Sequence, residues 1–178
     1  MLTVYRTHNI TSQPNNATGN EGGTSSYTVA GNTSSGSHTY QWSKSDNGVD
    51  YNIIPGATSA TYTTPTLVFA DDNDDRFKCT LSLEGAENDL VSVFAVQTVL
   101  RVISISQQPQ PQTVIEGQSA TFSITAAITS GSVNYQWQRS QDNGNNWSTI
   151  VGATSSSYTT PSQPFPTVNN LYRCVLSN

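Results

Sequence analysis

Few residues in this chain could carry catalytic chemistry. His8 and His38 are the two histidines, and Cys79 and Cys174 are the two cysteines. A catalytic nucleophile needs a base and a third group that orients the base, and neither histidine has a serine or cysteine and an aspartate in such a sequence context. The metal-binding spacings Cys-x-x-Cys and His-Glu-x-x-His do not occur either. The sequence predicts a protein that is not an enzyme and has no cofactor.

A run of acidic residues raises the question of calcium binding. Calcium prefers oxygen ligands, and four carboxylates lie within five positions: Asp71, Asp72, Asp74 and Asp75. The run lacks the glycine and the distal glutamate of an EF-hand loop. The matching positions later in the chain hold Thr167-Val168-Asn169-Asn170. These observations favour a solvated acidic turn over a calcium site, and we predict that calcium has no effect on the protein.

Aromatic residues offer a third kind of chemistry, the stacking of a sugar ring. Trp42 and Trp137 lie on predicted strands, where a hydrophobic core needs them. Tyr51 and Trp147 are left as candidates for an exposed glycan-binding pair. Packing at the rim of the core is the interpretation that the sequence favours for both.

An internal repeat positions these residues. Tyr40-Gln41-Trp42 returns as Tyr135-Gln136-Trp137, 95 positions later, and Cys79 and Cys174 have the same spacing. Asp46-Asn47-Gly48 follows the first motif and predicts a hairpin turn after a strand. The chain therefore contains two copies of a unit of about 90 to 95 residues.

The spacing of the cysteines excludes a disulfide between them within one molecule. They occupy the same position in different domains, whereas a disulfide needs Cα atoms closer than about 7 Å. Each thiol lies on an apolar strand without a neighbouring histidine. We therefore predict two inert, buried thiols.

The composition favours strands and excludes two classes of partner. Charged residues make up 11% of the 178 residues, and the net charge is −5. The seven Lys and Arg residues are scattered singly and form no basic stripe, so we expect no nucleic-acid partner. No apolar run approaches the length of about 20 residues that spans a bilayer, so we expect no membrane insertion. The polar residues suit short strands and turns, which predicts an all-β fold.

The repeated motifs resemble immunoglobulin-like domains. A tryptophan strand is followed by Phe77-Lys78-Cys79, and in the second copy by Tyr172-Arg173-Cys174. The resemblance implies two tandem immunoglobulin-like β-sandwiches in which Val29 and Ile124 replace the usual disulfide partner. It also implies that Tyr172 forms a tyrosine corner, which Phe77 cannot. More narrowly, the motifs are similar to disulfide-free immunoglobulin-like repeats of bacteriophage virion proteins and large bacterial surface proteins.

We predict three segments from the repeat. Residues 1–9 are the end of a preceding repeat or a donor strand, residues 10–103 form domain 1, and residues 104–178 form an incomplete domain 2. No Gly, Pro or Ser-rich linker separates the domains, which predicts a stiff rod.

The alignment of the two copies also predicts how the ends behave. Asn178 corresponds to Leu83, so domain 2 lacks the last strand that residues 91–102 supply to domain 1. The chain is then either an excerpt of a longer tandem array, or a unit that polymerises by donating residues 2–8 to the next copy. Both hypotheses predict that residues 2–8 form a strand beside a domain other than domain 1.

The resemblance implies a non-enzymatic structural or adhesion module. The first hypothesis is a fibre or decoration segment of a phage virion that projects from the particle and contacts host surface glycans. The second is a subunit of a bacterial or archaeal surface adhesin or filament, and the third is an accessory module of a polysaccharide-degrading enzyme. The expected partners are other copies of the chain or other structural proteins of a virion or surface, and cell-surface glycan. The expected location is a virion surface or a cell surface.

Overall fold

The computed structural model describes residues 2–165 and 170–178. The chain divides into two compact units, Met1–Leu100 and Arg101–Asn178, which we call the first and the second unit. Strands dominate both, so the prediction of an all-β fold is confirmed. No helix among the described residues is long and apolar enough to cross a membrane.

The described residues of the first unit form ten strands and one single-turn helix. The helix, α1 (Phe69–Asp72), was not expected from the sequence. The strands are β1 (His8–Ser12), β2 (Ala17–Asn20), β3 (Ser26–Thr28), β4 (Ala30–Thr33), β5 (Thr39–Ser45), β6 (Asn52–Ile53), β7 (Thr61–Thr63), β8 (Arg76–Ser82), β9 (Leu90–Val91) and β10 (Ala95–Leu100).

Two layers of strands enclose the core of the first unit. One layer has the order β2-β10-β8-β5-β6, with β9 also paired to β8, and the other contains the pairs β1-β4 and β3-β7. All these pairs are antiparallel except β2 with β10, which is parallel. Strands β5 and β8 place Trp42 directly opposite Cys79.

Trp42 anchors this core. It is fully buried and packs in one cluster with Tyr27, Val29, Phe77 and Cys79. Val29 is buried where the resemblance placed an apolar residue instead of a cysteine, and Cys79 is a free thiol. The hairpin predicted at Asp46-Asn47-Gly48 is present between β5 and β6, and Gly48 has a φ of 74°, which favours glycine.

The second unit repeats this plan with fewer strands. Its described residues form seven: β11 (Ile103–Gln107), β12 (Thr121–Ser123), β13 (Thr125–Ile128), β14 (Asn134–Ser140), β15 (Ser148–Thr149), β16 (Ser157–Thr159) and β17 (Leu171–Ser177). The strand pairs are β11-β13 and β12-β16 in one layer and β15-β14-β17 in the other.

The pairing of β17 in the second unit differs from that of its counterpart β8 in the first. No strand among its described residues pairs with β17 on the side away from β14. Residues 112–115, which correspond to β2, form no strand either. In the first unit β2 pairs with β10 alone, and no described residues of the second unit form a counterpart of that pair.

The N-terminal residues contradict the prediction that they pair outside domain 1. The Arg6 N–H donates to the Gly85 carbonyl at 2.8 Å, and the Ser34 N–H donates to the Thr7 carbonyl at 2.9 Å, both within the first unit. The prediction is wrong for Arg6 because the chain turns into β1 at this point and Arg6 lies against the loop that follows β8. Leu2 and Val4 are exposed and belong to no strand.

Candidate functional site

The fold brings the two histidines together, which sequence reasoning did not foresee. His8 Nδ1 lies 3.2 Å from His38 Nε2, and His8 Nε2 lies 2.8 Å from the Asn88 carbonyl oxygen. A carbonyl only accepts, so the His8 proton is on Nε2 and His8 Nδ1 accepts from His38. The two residues are 30 positions apart, and no motif connects them.

The histidine pair should make the first unit sensitive to acid. Burial, and secondarily the neighbouring His8, lower the pKa of His38 from its ordinary value of 6.5. The unfolded chain then binds a proton more readily than the folded unit, so stability is lost as the pH falls through this range. We expect a lower melting temperature at about pH 5.5 than at about pH 7.5, and a smaller difference in the His38→Gln variant. Equal pH dependence of both proteins in calorimetry would contradict this.

The acidic run is partly used by a lysine. Lys44 Nζ lies 2.6 Å from Asp75 Oδ2 and 3.3 Å from Asp72 Oδ1. Asp71 and Asp74 are exposed, as expected for a solvated turn. Asp75 is only 1% exposed, so the prediction of a solvated turn is wrong for Asp75. Asp75 is buried because its backbone pairs with β10, where the Gln97 N–H donates to the Asp75 carbonyl at 2.8 Å.

The geometry of the acidic run gives calcium no ready site. Within residues 2–165 and 170–178, no group of three or more His, Cys, Asp or Glu side chains is placed to hold a metal ion. Asp72 Oδ2 already accepts from the Val68 N–H at 2.8 Å. Of the matching positions in the second unit, 167–169 lie outside the described residues.

We expect the melting temperature in millimolar calcium to equal that in excess chelator. A ligand that binds only the folded state raises the midpoint by mass action. Two of these carboxylates, Asp72 and Asp75, already pair with Lys44. Differential scanning calorimetry under both conditions is the measurement. A rise with calcium that disappears in Asp72→Ala would contradict the prediction.

Tyr51 and Trp147, the two candidates for glycan binding, occupy equivalent positions, and each has a cation over one face of its ring. Lys78 Nζ lies 3.8 Å from the centre of the Tyr51 ring, and Arg173 Cζ lies 4.3 Å from that of Trp147. Both aromatic side chains are half-buried. The cation on the neighbouring strand takes one ring face, so a sugar could stack only on the other. Sequence reasoning missed this contact, although the pairing of an aromatic residue with a cation recurs in both copies.

The two thiols differ in accessibility. Cys79 is buried, and burial raises the pKa of its thiol to about 11. Burial also raises the pKa of Cys174, but this side chain is half-exposed, so the prediction of a buried thiol is wrong for Cys174. The cause is the open edge of β17. High pKa values keep both thiols protonated and weakly nucleophilic at neutral pH.

An open cavity lies beside β12 and β17 of the second unit. Its volume is about 460 Å³, and its lining includes Val114, Phe122, Gln163 and Tyr172. Its wall also includes Asn170, whose Oδ1 is buried without a hydrogen-bond partner. This cavity is a candidate for a binding site in the second unit.

A comparison with protein families matches part of the chain. Residues 105–178 match a domain of unknown function, DUF8696. This match lies within the second unit. No curated protein sequence matches the chain.

Comparison with solved structures defines the class of protein. A structure of Sidekick-1 immunoglobulin domains 1–4 aligns with a TM-score of 0.59 and 15% identity over 99% of this chain and 46% of that one. A structure of Sidekick-1 immunoglobulin domains 1–5 aligns with a TM-score of 0.54 and 15% identity over 96% and 36%. The chain thus spans less than half the length of either. The prediction of two tandem immunoglobulin-like β-sandwiches is confirmed.

Tandem immunoglobulin-like domains are typical of structural and adhesion modules. Neither the matched family nor the two aligned structures are described by a catalytic activity. At 15% identity the likeness establishes the fold, and the fold alone does not define a function.

Proposed function

We propose that the chain is a non-enzymatic spacer and adhesion module, specifically a fibre or decoration segment of a bacteriophage virion. The observation that carries this proposal is the continuous connection between two immunoglobulin-like units. Only Arg101 and Val102 separate β10 from β11. This link contains no glycine, proline or serine. A tandem repeat without a separate linker suits a spacer segment of a larger assembly.

The sequence motifs and the surface support the same function. Tyr135-Gln136-Trp137 and its first copy are similar to motifs of disulfide-free repeats in phage virion proteins, and both cysteines are free. Only 11% of the residues are charged. A polar surface with few charges suits a component that is exposed on a particle and does not bind nucleic acid.

A surface adhesin or filament subunit of a bacterium or archaeon is the second candidate. The observation that favours it is the open edge of β17, because an unpaired strand edge invites a strand from another molecule. The two candidates differ in location: a virion in the first case and a cell envelope in the second.

Immunogold labelling tests the location. An antiserum against the purified chain is applied to phage particles and to bacterial cells from a culture in which the chain is produced. Label on particles supports the virion proposal, and label on the envelope of uninfected cells supports the second candidate. Label on neither contradicts both, provided that the antiserum detects the chain in the same lysate by blotting.

A glycan array tests the adhesion part of the proposal. We expect binding of the purified chain to host surface polysaccharide that is lost in the double variant Tyr51→Ala and Trp147→Ala. Phe94→Ala is the matched control, because Phe94 is also exposed and also lies beside a cation, with Arg76 Cζ 4.8 Å from its ring centre. Equal loss in the control would argue against a site at Tyr51 and Trp147.

A further inference from the structure

The histidine pair of the first unit has a geometry that the proposed function does not use. His8 Nδ1 and His38 Nε2 lie 3.2 Å apart. Neutral imidazole nitrogens are common zinc ligands, and two nitrogens bound to one tetrahedral zinc ion at about 2.0 Å each lie about 3.3 Å from one another. The two ring nitrogens are therefore already at the separation that one zinc ion requires.

Asn88 holds His8 in the form that can bind a metal. His8 Nε2 lies 2.8 Å from the Asn88 carbonyl oxygen, which only accepts, so the proton of the neutral ring is on Nε2. The lone pair of His8 is then on Nδ1, the nitrogen that faces His38. Histidines that bind metals in proteins almost always donate their other ring N–H to a carbonyl, a carboxylate or water. The Asn88 carbonyl supplies this support to His8.

Neighbouring rings and one glycine place His38. Its ring stacks on that of His8 with the ring centres 5.3 Å apart, and the Tyr40 ring lies 6.1 Å away in an edge-on arrangement. A Cβ atom at Gly31 would lie 3.0 Å from His38 Cε1. Glycine at this position therefore leaves room for the imidazole beside the strand pair β1-β4.

The second unit has aliphatic residues at all three matching positions. At a spacing of 95, His8, Gly31 and His38 correspond to Ile103, Ala126 and Val133. Strands β11 and β13 pair in the same register as β1 and β4, so the difference lies in the side chains. Both histidines, and the small residue that admits one of them, thus occur together in the first unit and are replaced together in the second.

The loop that carries Asn88 adds negative charge beside the pair. It connects β8 with β9 and contains three exposed carboxylates, those of Glu84, Glu87 and Asp89. Arg6 donates to the Glu84 carbonyl oxygen at 2.9 Å and brings one positive charge to the same loop. The remaining excess of negative charge favours the approach of a divalent cation.

We propose that His8 and His38 bind one zinc ion. The ion takes the place of the proton between the rings: His38 Nε2 gives up the proton that it donates to His8, His38 takes a proton at Nδ1, and both rings stay neutral. Water fills the other two positions of the ion, because no group of three His, Cys, Asp or Glu is placed to hold a metal within residues 2–165 and 170–178. The proposal goes beyond the proposed function and does not depend on a virion or cell-surface location.

Isothermal titration calorimetry of the metal-free chain with zinc chloride tests the proposal. We expect one ion per chain with a micromolar Kd, and binding at least about tenfold weaker in His8→Gln and in His38→Gln, because each variant removes one of the two ligands. Cys174→Ser is the matched control, because the half-exposed Cys174 thiol is the other accessible zinc ligand. This variant should bind zinc like the wild type. Excess calcium should not displace the zinc, because calcium prefers oxygen ligands.

Nitrogen NMR of the wild-type chain identifies the ligands without relying on a variant that folds. His8 and His38 are the two histidines of the chain, so their ring signals are readily assigned. We expect zinc to shift the signals of His8 Nδ1 and His38 Nε2 while His8 Nε2 stays protonated. The proposal is overturned if the wild type binds no zinc below about 1 mM, if both glutamine variants bind zinc as tightly as the wild type, or if Cys174→Ser abolishes binding. A shift confined to one of the two rings would overturn it as well.

Discussion

Replacing Trp42 by alanine is expected to lower the free energy of unfolding of the first unit by about 3 to 5 kcal/mol. The indole is fully buried, its N–H donates to the Ser59 carbonyl at 2.9 Å, and its ring packs beside those of Tyr27 and Tyr62. Alanine removes these contacts and leaves a cavity between two sheets whose ladders prevent full collapse. Native-state hydrogen exchange of the β5 and β8 amides measures the loss in this unit alone.

The other two tryptophans provide the controls. Trp137 is equally buried and donates to the Ser155 carbonyl at 2.9 Å, so Trp137→Ala should cost the second unit a similar amount. Trp147 is half-buried in a loop beside Arg173, and Trp147→Ala should cost about 1 kcal/mol. If Trp42→Ala cost no more than Trp147→Ala, Trp42 would not be the anchor of the core.

The sequence predicts burial best where it depends on the alternation of side chains along a single strand. Trp42 and Trp137 recur in the same motif, and any strand with that alternation must bury them on one face. Val29 and Ile124, which the resemblance to immunoglobulin-like domains placed opposite the cysteine strands, are both buried. Such positions depend on period and spacing, which a repeat shows twice.

The contacts that the sequence did not predict depend on how strands align with one another. His8 meets His38, and Lys44 meets Asp75, only because particular strands pair in a particular register. A shift of one residue in a strand would turn its side chains to the opposite face. Arg6 illustrates the same limit, because its pairing with the Gly85 loop depends on the direction in which the chain enters β1.

The exposure of Cys174 has a different origin. Its strand pattern is the same as that of Cys79, and the prediction of a buried thiol treated the two as equivalent. Burial requires a covering strand as well as an apolar position, and β17 lacks the strand that covers β8. The predicted absence of the last strand already contained this consequence for Cys174.

Replacing Lys44 by methionine should destabilise the first unit by about 2 to 4 kcal/mol at neutral pH. Asp75 is 1% exposed, and the Lys44 ammonium at 2.6 Å is its counter-charge. Removing the Lys44 ammonium leaves the buried Asp75 carboxylate without a counter-charge. The Lys44 side chain is 37% exposed, so water screens the ion pair. This screening is why the expected cost extends down to about 2 kcal/mol. Calorimetry of the variant and the wild type measures the difference.

Asp75→Asn separates the charge from the packing. The second unit already has this arrangement, with Asn170 and Arg139 at the positions of Asp75 and Lys44. We therefore expect Asp75→Asn to cost about 1 kcal/mol, and Lys44→Met to add little in the Asp75→Asn background. If the two costs were additive, the ion pair would not be the source of the loss.

The pH dependence of the Lys44→Met loss identifies its cause. Burial raises the pKa of Asp75 from its ordinary 3.8, and Lys44 opposes this rise in the wild type. Without Lys44 the pKa of Asp75 rises further, and a carboxyl whose folded pKa is raised stabilises the fold below its unfolded pKa and loses that contribution as the pH rises. The stability gap between variant and wild type should therefore narrow as the pH is lowered from about 7 to about 4. The alkyl stem of Lys44 does not titrate, so a gap that stayed constant over this range would mean that lost packing, and not the unpaired carboxylate, destabilises the variant.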